Sequence, residues 1–206
     1  MNDRIVLGIE SAIGGGSLCM TNNGREIDSW VGNGNVSRAE DILPNIDRLA
    51  RANSLDLRSV DRIIVSIGPG SFTGIKVGIA TVLGLRASLR TTCVGISALE
   101  ALSLITVDEN AVTAVPMGRG GICVQSFRKQ VPDTEPRLIY DRELVCIGIE
   151  AIGKLVLHGS LFDRERFPEA VDAGFNVASH LCAAIDSKFI SNDIRPLFVD
   201  RKSSNI

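Results

Sequence analysis

The chain has 206 residues, of which 45% are hydrophobic, and this is enough to bury a core as one or two domains. Its 22 basic and 24 acidic side chains leave a net charge of −2. Because phosphate neutralisation supplies most non-specific affinity for nucleic acids, this balance excludes the usual free-standing nucleic-acid binder. If RNA is involved in the function, we expect a partner to hold it.

The cysteines indicate a reducing compartment. None of the five belongs to a C-x-x-C pair, so neither a zinc knuckle nor a disulfide framework is expected. The opening residues lack the long apolar region of a signal peptide, and no uninterrupted apolar run reaches the roughly 18–20 residues of a membrane span. We therefore expect a cytoplasmic protein that does not contact a membrane.

The first half predicts three antiparallel strands. Residues 5–9 are continuously apolar, which is typical of a strand buried on both faces. The glycines at 14–16 form a turn into a second strand at 17–21. Asn23-Gly24, where both residues tolerate positive φ, predicts a hairpin into a third strand near 26–31.

A helical period follows this meander. Ser37 and Glu40 have the spacing of a capping box, and apolar residues continue at helical spacing to position 50. Pro44 lies too deep for a first-turn proline, so we expect a kink or a later start. A strand at 62–67, a helix at 72–89, a strand at 93–96 and a helix capped by Ser97 complete the order βββαβαβα. This order predicts a ribonuclease-H-like lobe over residues 1–107.

The second half begins with the same pattern. A strand at 111–115, a glycine turn at 118–121 and a strand at 122–127 weakly suggest an internal duplication. Next we expect a strand at 138–145, a helix or strand lead at 147–154 and a strand at 155–158. An amphipathic helix from 177 to 189 and a loosely held tail at 191–206 complete a smaller, less regular lobe over residues 108–206. With no linker between them, the halves should pack as one unit.

Residues 66–90 carry the most information. Gly68-Pro69-Gly70 forms a tight turn after a strand, and Ser71 or Thr73 can cap the helix that follows. A Walker A loop needs four residues between its glycines, whereas five separate Gly68 from Gly74. The G-x-S-x-G spacing of a nucleophile elbow is absent too. The segment is therefore neither a phosphate loop nor a hydrolase elbow.

The helix at 72–89 has two different sides. Glycine costs about 1 kcal/mol relative to alanine inside a helix, so its three glycines need a compensating contact. Small residues form a seam along one side, namely Gly74, Gly78, Thr81 and Ser88, with Gly84 nearby. Apolar residues expected to pack on the sheet line the other: Ile75, Ile79, Val82 and Leu89. The pattern leaves open whether the seam contacts another protein or a helix of its own chain.

The run GPGSFTGIKVG at 68–78 resembles the G-P-G-S-F-T-G-[LIV]-R-[IV]-G signature of the TsaB (YeaZ) family. The match covers 11 consecutive positions, with Lys76 in place of the usual arginine. Supporting similarity includes Ile42-Leu43-Pro44, residues 94–97 and the Pro196-Leu197-Phe198-Val199 ending. The resemblance implies the α/β, actin-like ATPase fold, with two ribonuclease-H-like lobes that each hold a βββαβα-type mixed sheet.

The same resemblance implies a function. Members are non-catalytic partners of a related TsaD catalytic subunit and work with a TsaE ATPase. The complex transfers threonylcarbamoyl to adenosine 37 of tRNA. We therefore expect this chain to contact tRNA and ATP only as part of the complex. The first two helices, here 38–52 and 72–89, would form the dimer surface, and a homodimer is expected in isolation. The expected interface residues are Gly70, Ser71, Phe72, Thr73, Gly74, Lys76, Gly78 and Thr81.

The chain departs from the family pattern at three places. Its first strand ends in Glu10-Ser11 instead of Asp-Thr, and no histidine precedes the Ile-Leu-Pro helix. The loop at 116–123 lacks the Asp, Arg, Glu and Tyr of the D-A-R-x-G-E-[VI]-Y pattern. A degenerate paralogue without a role in tRNA modification therefore stays open.

A nucleotide site is the other candidate. Backbone N–H groups of the glycine turn could cradle a phosphate, which would make the protein an independent ATP-dependent phosphotransferase. The candidate residues are Glu10, Ser11, Gly14, Gly15 and Gly16. The alternative is a tight hairpin retained without nucleotide. His158 and His180 are too far apart for a helical metal pair, and no nucleophile–base pair is evident, so we expect neither a metal site nor peptidase activity.

Overall fold

A computed structural model of the protein describes residues 4–33, 41–150 and 153–199, with only the backbone of 148–150. The strands are β1 (Ile5–Glu10), β2 (Ser17–Asn22), β3 (Arg25–Val31), β4 (Arg62–Ser66), β5 (Thr92–Ile96), β6 (Asn110–Pro116), β7 (Ile122–Arg128), β8 (Val131–Pro132), β9 (Arg137–Ile139), β10 (Lys154–Leu157) and β11 (Val171–Asp172). The helices are α1 (Ile42–Ala52), α2 (Phe72–Leu89), α3 (Ala98–Ser103), α4 (Asp141–Glu150) and α5 (Val177–Ala183).

The first sheet has the predicted order of elements. Its strands run β3-β2-β1-β4-β5, with β1 antiparallel to β2 and parallel to β4. Asn23 and Gly24 both have positive φ, so the predicted hairpin is confirmed. β1 is buried along its whole length because helices cover both faces of the sheet, as its continuous apolar run indicates.

Each face of the first sheet packs against two helices. The outer face, which includes Leu7 and Ile63, packs on α1 and on Val82 of α2. The inner face, which includes Val6 and Ile64, packs on α3 and α5. The parallel crossover from β4 to β5 thus places α2 on the outer face, whereas α3 follows β5 on the inner face and leads to the second sheet.

Helix α1 begins at Ile42, after the N-cap residue Asp41. Pro44 therefore falls in the first turn, where its missing N–H costs no helical hydrogen bond. The later start expected from Pro44 is confirmed. The predicted capping box of Ser37 and Glu40 lies outside the described residues.

The second sheet runs β11-β10-β6-β7-β8, and β9 also pairs with β7. The expected strand at 138–145 is wrong, since β9 ends at Ile139 and α4 begins at Asp141. The carboxylate of Glu143 accepts a hydrogen bond from the Tyr140 N–H, and the Leu144 N–H donates to the Tyr140 carbonyl. These bonds start a helix where the alternation of apolar residues suggested a strand.

Helices α3 and α5 lie between the two sheets. Both belong to one core that joins Val94 of the first sheet to Val115 and Phe127 of the second. The halves therefore pack as one unit, as expected. Although α5 follows the second sheet in sequence, it packs on β1 and β2 of the first. The lobe boundary between residues 107 and 108 falls between α3 and β6 and stays a prediction.

The segment at 191–199 is attached to the first sheet. Ser191 pairs with Gly95 of β5, and the Leu197 N–H donates to the Ile67 carbonyl at 2.7 Å. The prediction of a loosely held tail is therefore wrong for these residues, while 200–206 lie outside the described part. α5 is also shorter than predicted, although Ile185 beyond its end is still buried.

Helix α2 is long and apolar enough to cross a membrane when only length and composition are considered. This is weak evidence, because Ile75, Ile79 and Val82 are buried against the protein's own sheet. The helix also carries Lys76 and Arg86.

Candidate functional site

The two groups of candidate site residues, at 10–16 and 70–81, meet at the start of α2. The Ser71 N–H donates to the Ala12 carbonyl at 2.8 Å. The hydroxyl of Ser11 donates to the Gly74 carbonyl, also at 2.8 Å. The loop between β1 and β2 is therefore fixed to the first turn of α2, and the glycines of both groups lie in adjacent segments.

The early glycines of α2 face the protein's own loop. A Cβ at Gly74 would lie 2.2 Å from the Ser11 carbonyl oxygen, and one at Gly78 would lie 2.3 Å from the Ser11 hydroxyl. A Cβ at Gly70 would lie 2.6 Å from that of Ala12. The close approach that these three glycines permit is therefore to residues 11–12 of the same chain, and their contact with a partner stays a prediction.

The outward side of α2 is a different set of residues. Phe72, Thr73 and Lys76 are exposed as expected, while Ser71 and Thr81 are half-buried. Gly84, which the helical period placed near the small-residue seam, shares this side with Ala80, Leu83 and Ala87, which no sequence signal singled out. A Cβ at Gly84 would meet nothing within 4 Å. Together, residues 72, 73, 76, 80, 83, 84 and 87 form what we call the outer face of α2.

An aromatic cluster lies at one end of this outer face. The rings of Phe72 and Phe198 are 4.9 Å apart, and the ammonium of Lys76 lies 3.9 Å from the centre of the Phe72 ring. Both rings are about half exposed. Both rings lie in segments that match the family pattern, the motif at 68–78 and the ending at 196–199. Nothing in the sequence indicated that these two segments would be in contact.

Glu10 stabilises the β1–β2 loop from inside. One carboxylate oxygen accepts hydrogen bonds from the N–H groups of Ala12, at 2.5 Å, and Ile13, at 3.0 Å. The side chain is fully buried and its other oxygen has no partner among the described residues. Burial raises the pKa of this carboxyl to about 8, so the group is largely protonated at neutral pH. The carboxyl of Glu10 thus occupies N–H groups that a phosphate would need.

The glycines of the same loop close a tight turn. Gly14, Gly15 and Gly16 all have positive φ, and the Gly16 N–H donates to the Ile13 carbonyl at 2.8 Å. A Cβ at Gly14 would lie 3.7 Å from the ring of His158, which belongs to the second lobe. Three N–H groups of this turn, those of residues 12, 13 and 16, are therefore used internally. The geometry favours the hairpin interpretation over a phosphate cradle.

His158 is buried beside this turn. The Ser160 N–H donates to Nδ1 at 3.2 Å, and the Ser160 hydroxyl lies 2.9 Å from the same nitrogen. Sequence reasoning missed this Ser–His contact. Burial lowers the pKa of His158 to about 4, which makes the imidazole a weak base. The contact belongs to a local turn, because His158 and Ser160 are only two residues apart in sequence.

Metal coordination finds no support in the part of the chain that the structure describes. It contains no group of three or more His, Cys, Asp or Glu side chains that could hold an ion. His180, the second histidine, has Nε2 2.8 Å from the Ala173 carbonyl oxygen. Both histidines are therefore satisfied by neighbouring groups.

Comparison with known proteins shows which families and folds the chain resembles. The model of the family described as TsaD, tRNA N6-adenosine threonylcarbamoyltransferase, matches residues 36–125. The TsaB tRNA threonylcarbamoyladenosine biosynthesis protein of Haemophilus influenzae is 36% identical over 123 residues, covering 55% of this chain and 52% of that protein. An uncharacterized protein of Mycobacterium bovis is 28% identical over 120 residues, covering 58% and 48%. The chain thus spans about half the length of these relatives.

Solved structures agree in fold. YeaZ from Pseudomonas aeruginosa superposes with a TM-score of 0.69 at 19% identity, covering 95% of this chain and all of that one. The chain therefore resembles TsaB over about half of its length in sequence and YeaZ over nearly all of its length in fold. Component A of (R)-2-hydroxyglutaryl-CoA dehydratase from Acidaminococcus fermentans, at 9% identity and a TM-score of 0.51, shares only the fold, over 87% of this chain and 96% of that one. The two-lobed, actin-like fold is confirmed.

The glycine loop of the second lobe forms a closed turn. The residues at 118–120 form an exposed turn in which Arg119 has a φ of 64°. The Met117 N–H donates to the Gly121 carbonyl at 2.7 Å, which closes the turn. The predicted glycine turn is confirmed, and a Cβ at Gly118 would meet nothing within 4 Å.

Proposed function

We propose that the chain is a non-catalytic partner subunit of the machinery that makes threonylcarbamoyladenosine at position 37 of tRNA. It binds a TsaD-like catalytic subunit through the exposed sides of α1 and α2. The observation that carries this proposal is the outer face of α2, an uncovered row of small and apolar side chains beside a well-packed core.

Several properties of this face suit a protein partner. Phe72 and Leu83 are exposed to 57% and 39%, and Leu43 of α1 is exposed to 53%. Ala80, Gly84 and Ala87 are too small to hold another helix away, so two helices could approach closely. Aromatic side chains such as that of Phe72 are enriched at the centres of interfaces. Phe198 and Lys76 extend the same surface at its end.

The non-catalytic part of the proposal rests on the β1–β2 loop. Its N–H groups are engaged by Glu10 and Ile13, so this chain has little left with which to hold a phosphate. We therefore infer that the chain binds no cofactor of its own, and that ATP, a TsaE-like ATPase and tRNA are met only within the complex. The net charge of −2 is consistent with RNA held by a partner. Self-association in isolation and a cytoplasmic location complete the proposal.

The decisive experiment is co-purification with the TsaD-like protein of the same source, followed by light scattering and calorimetry. The matched variants are Gly84→Arg on the outer face of α2 and Gly118→Arg on the second-lobe turn. Both glycines have open space around the missing Cβ, and neither has a positive φ. We expect Gly84→Arg to weaken partner binding at least tenfold and Gly118→Arg to leave it unchanged.

The result has clear alternatives. If the wild-type chain does not bind the TsaD-like protein, the chain is a degenerate paralogue and the proposal is wrong. If the two variants bind equally well, the partner uses another surface. A micromolar dissociation constant for ATP and Mg²⁺ with the isolated chain would instead support the independent phosphotransferase.

A further inference from the structure

The second sheet carries a cavity of about 620 Å³ that none of the features above uses. The lining residues come from β6, β7, β9 and α4, together with the segment between β8 and β9. None of them belongs to α1, α2 or the β1–β2 loop. The volume lies within the range of about 300–1,000 Å³ that small-molecule sites occupy.

The floor of the cavity follows from strand register. Val112 of β6 lies opposite Ser126 of β7, and Ala114 lies opposite Val124, so these side chains share one face of the sheet. It is the face that packs on α4, away from α3 and α5. Helix α4 covers one end of this face with Leu144. At the other end no side chain that the structure describes covers the floor, and Ile147 of α4 lies at its margin.

Three polar side chains line the cavity without partners. The amide of Asn110, the hydroxyl of Ser126 and the guanidinium of Arg137 make no hydrogen bond or ion pair within the ranges that the structure describes. They come from β6, β7 and β9 respectively. Such groups around an apolar floor are the usual composition of a small-molecule site, where few polar contacts fix the orientation of a largely apolar ligand.

Charge decides which ligand fits. The other charged residues of the cavity are already paired, Arg128 with Asp133 at 3.4 Å and Glu109 with Lys129 at 3.7 Å. Arg137 is thus the charge left without a counter-ion among the described lining residues. Its planar guanidinium can hold two oxygens of a carboxylate or phosphate at once. Val112, Val124 and Ile147 offer apolar contact for the rest of the molecule.

We propose that this cavity binds a small organic anion, with a carboxylate or phosphate on Arg137 and an apolar body against Val112, Val124 and Ile147. Asn110 and Ser126 supply the orienting hydrogen bonds. The proposal is independent of partner binding by α2, since it uses the other sheet.

The test uses the full chain and three probes of similar size: phenyl phosphate, benzoate and neutral benzyl alcohol. Amide NMR signals of Val112, Val124 and Ser126 are followed during each titration. We expect each anion to shift these signals with a dissociation constant at least tenfold lower than that of benzyl alcohol. The tighter of the two anions identifies the preferred head group. If no probe shifts them, or if all three bind equally, the proposal is overturned.

Two variants locate the interaction. Arg137→Gln should weaken anion binding at least tenfold, whereas Arg142→Gln, which removes an exposed charge from α4 outside the cavity, should not. Ser126→Phe should block all binding by filling the floor. Equal anion binding by Arg137→Gln and Arg142→Gln would overturn the assignment of the head group to Arg137.

Discussion

The first turns of α2 and its later turns use glycine in opposite ways. Gly74 and Gly78 are buried against residues 11 and 12 of the same chain, whereas nothing lies within 4 Å of a Cβ built on Gly84. The early glycines therefore complete the fold, and Gly84 leaves a surface open. Glycines at helical spacing thus indicate close approach, but the fold decides whether the neighbour is the protein itself.

The largest effect should follow from Gly74→Ala. The new Cβ would meet the Ser11 carbonyl oxygen and the Ala12 backbone, neither of which can move without shifting the β1–β2 loop. Overpacking of this kind costs more than the roughly 1 kcal/mol that alanine gains in helix propensity. We expect the free energy of unfolding in urea to fall by about 2 kcal/mol.

The matched control for this change is Gly84→Ala on the same helix. Its Cβ enters open space, so only the propensity gain remains, and the protein should become more stable by about 0.5–1 kcal/mol. The opposite signs of the two changes are the core of the comparison. Equal effects would show that the first turns of α2 do not differ from the later ones.

Glu10, inside the loop that receives Gly74, should give the protein a dependence on pH. The folded protein keeps the proton up to a pKa of about 8, while the unfolded chain loses it near 4.5. Unfolding therefore releases a proton between these values, and the free energy of unfolding falls as the pH rises. Between pH 6.5 and 8 the fall should lie between about 1 and 2 kcal/mol, because the slope of 1.36 kcal/mol per pH unit halves as the pH reaches the folded pKa.

Glu10→Gln is the control, because the amide oxygen can still accept from Ala12 and Ile13 but cannot ionise. His158 is neutral in the folded protein, with a pKa of about 4, but the unfolded chain binds a proton there near pH 6.5, so it adds a small opposite change that wild type and variant share. Urea unfolding at pH 6.5 and pH 8 should therefore show a smaller loss for the variant than for the wild type. Parallel losses would mean that Glu10 is not the responsible group.

A modest effect should come from Phe198→Ala, which removes the ring that packs on Phe72. Because Phe198 is 49% exposed, we expect a loss of only about 1 kcal/mol in urea unfolding. Val107→Ala, at a side chain that is 97% exposed, should change stability by less than about 0.5 kcal/mol. An effect of Phe198→Ala no larger than this would show that the ring does not anchor the start of α2.

Local signals predicted the first lobe well. Asn23-Gly24 specified a hairpin because positive φ is a property of those residues. Ser97 and Glu100 specified a helix start, and both bonds of the capping box are present in the structure. The boundaries of α2 were predicted because the turn before it, its cap at Ser71 and its apolar period all lie within one segment.

The rest depended on contacts between distant segments. The inward orientation of Gly74 and Gly78 is set by Ser11, which no helical period can reveal. The tail at 191–199 has no regular spacing of apolar residues, and hydrogen bonds to Gly95 and Ile67 hold it in place. The strand expected at 138–145 was wrong because the bond from Tyr140 to Glu143 outweighs a weak alternation.

The attachment of the tail also sets an order of assembly. Phe198 reaches Phe72 only after the second lobe, which lies between them in sequence, has been synthesised and has folded back. Contacts between such distant segments form late, because the entropy of closing a long loop must be offset first. A partner that touched both rings would therefore find them together only on a chain that had finished folding, so the paired rings would act as a checkpoint for recruitment.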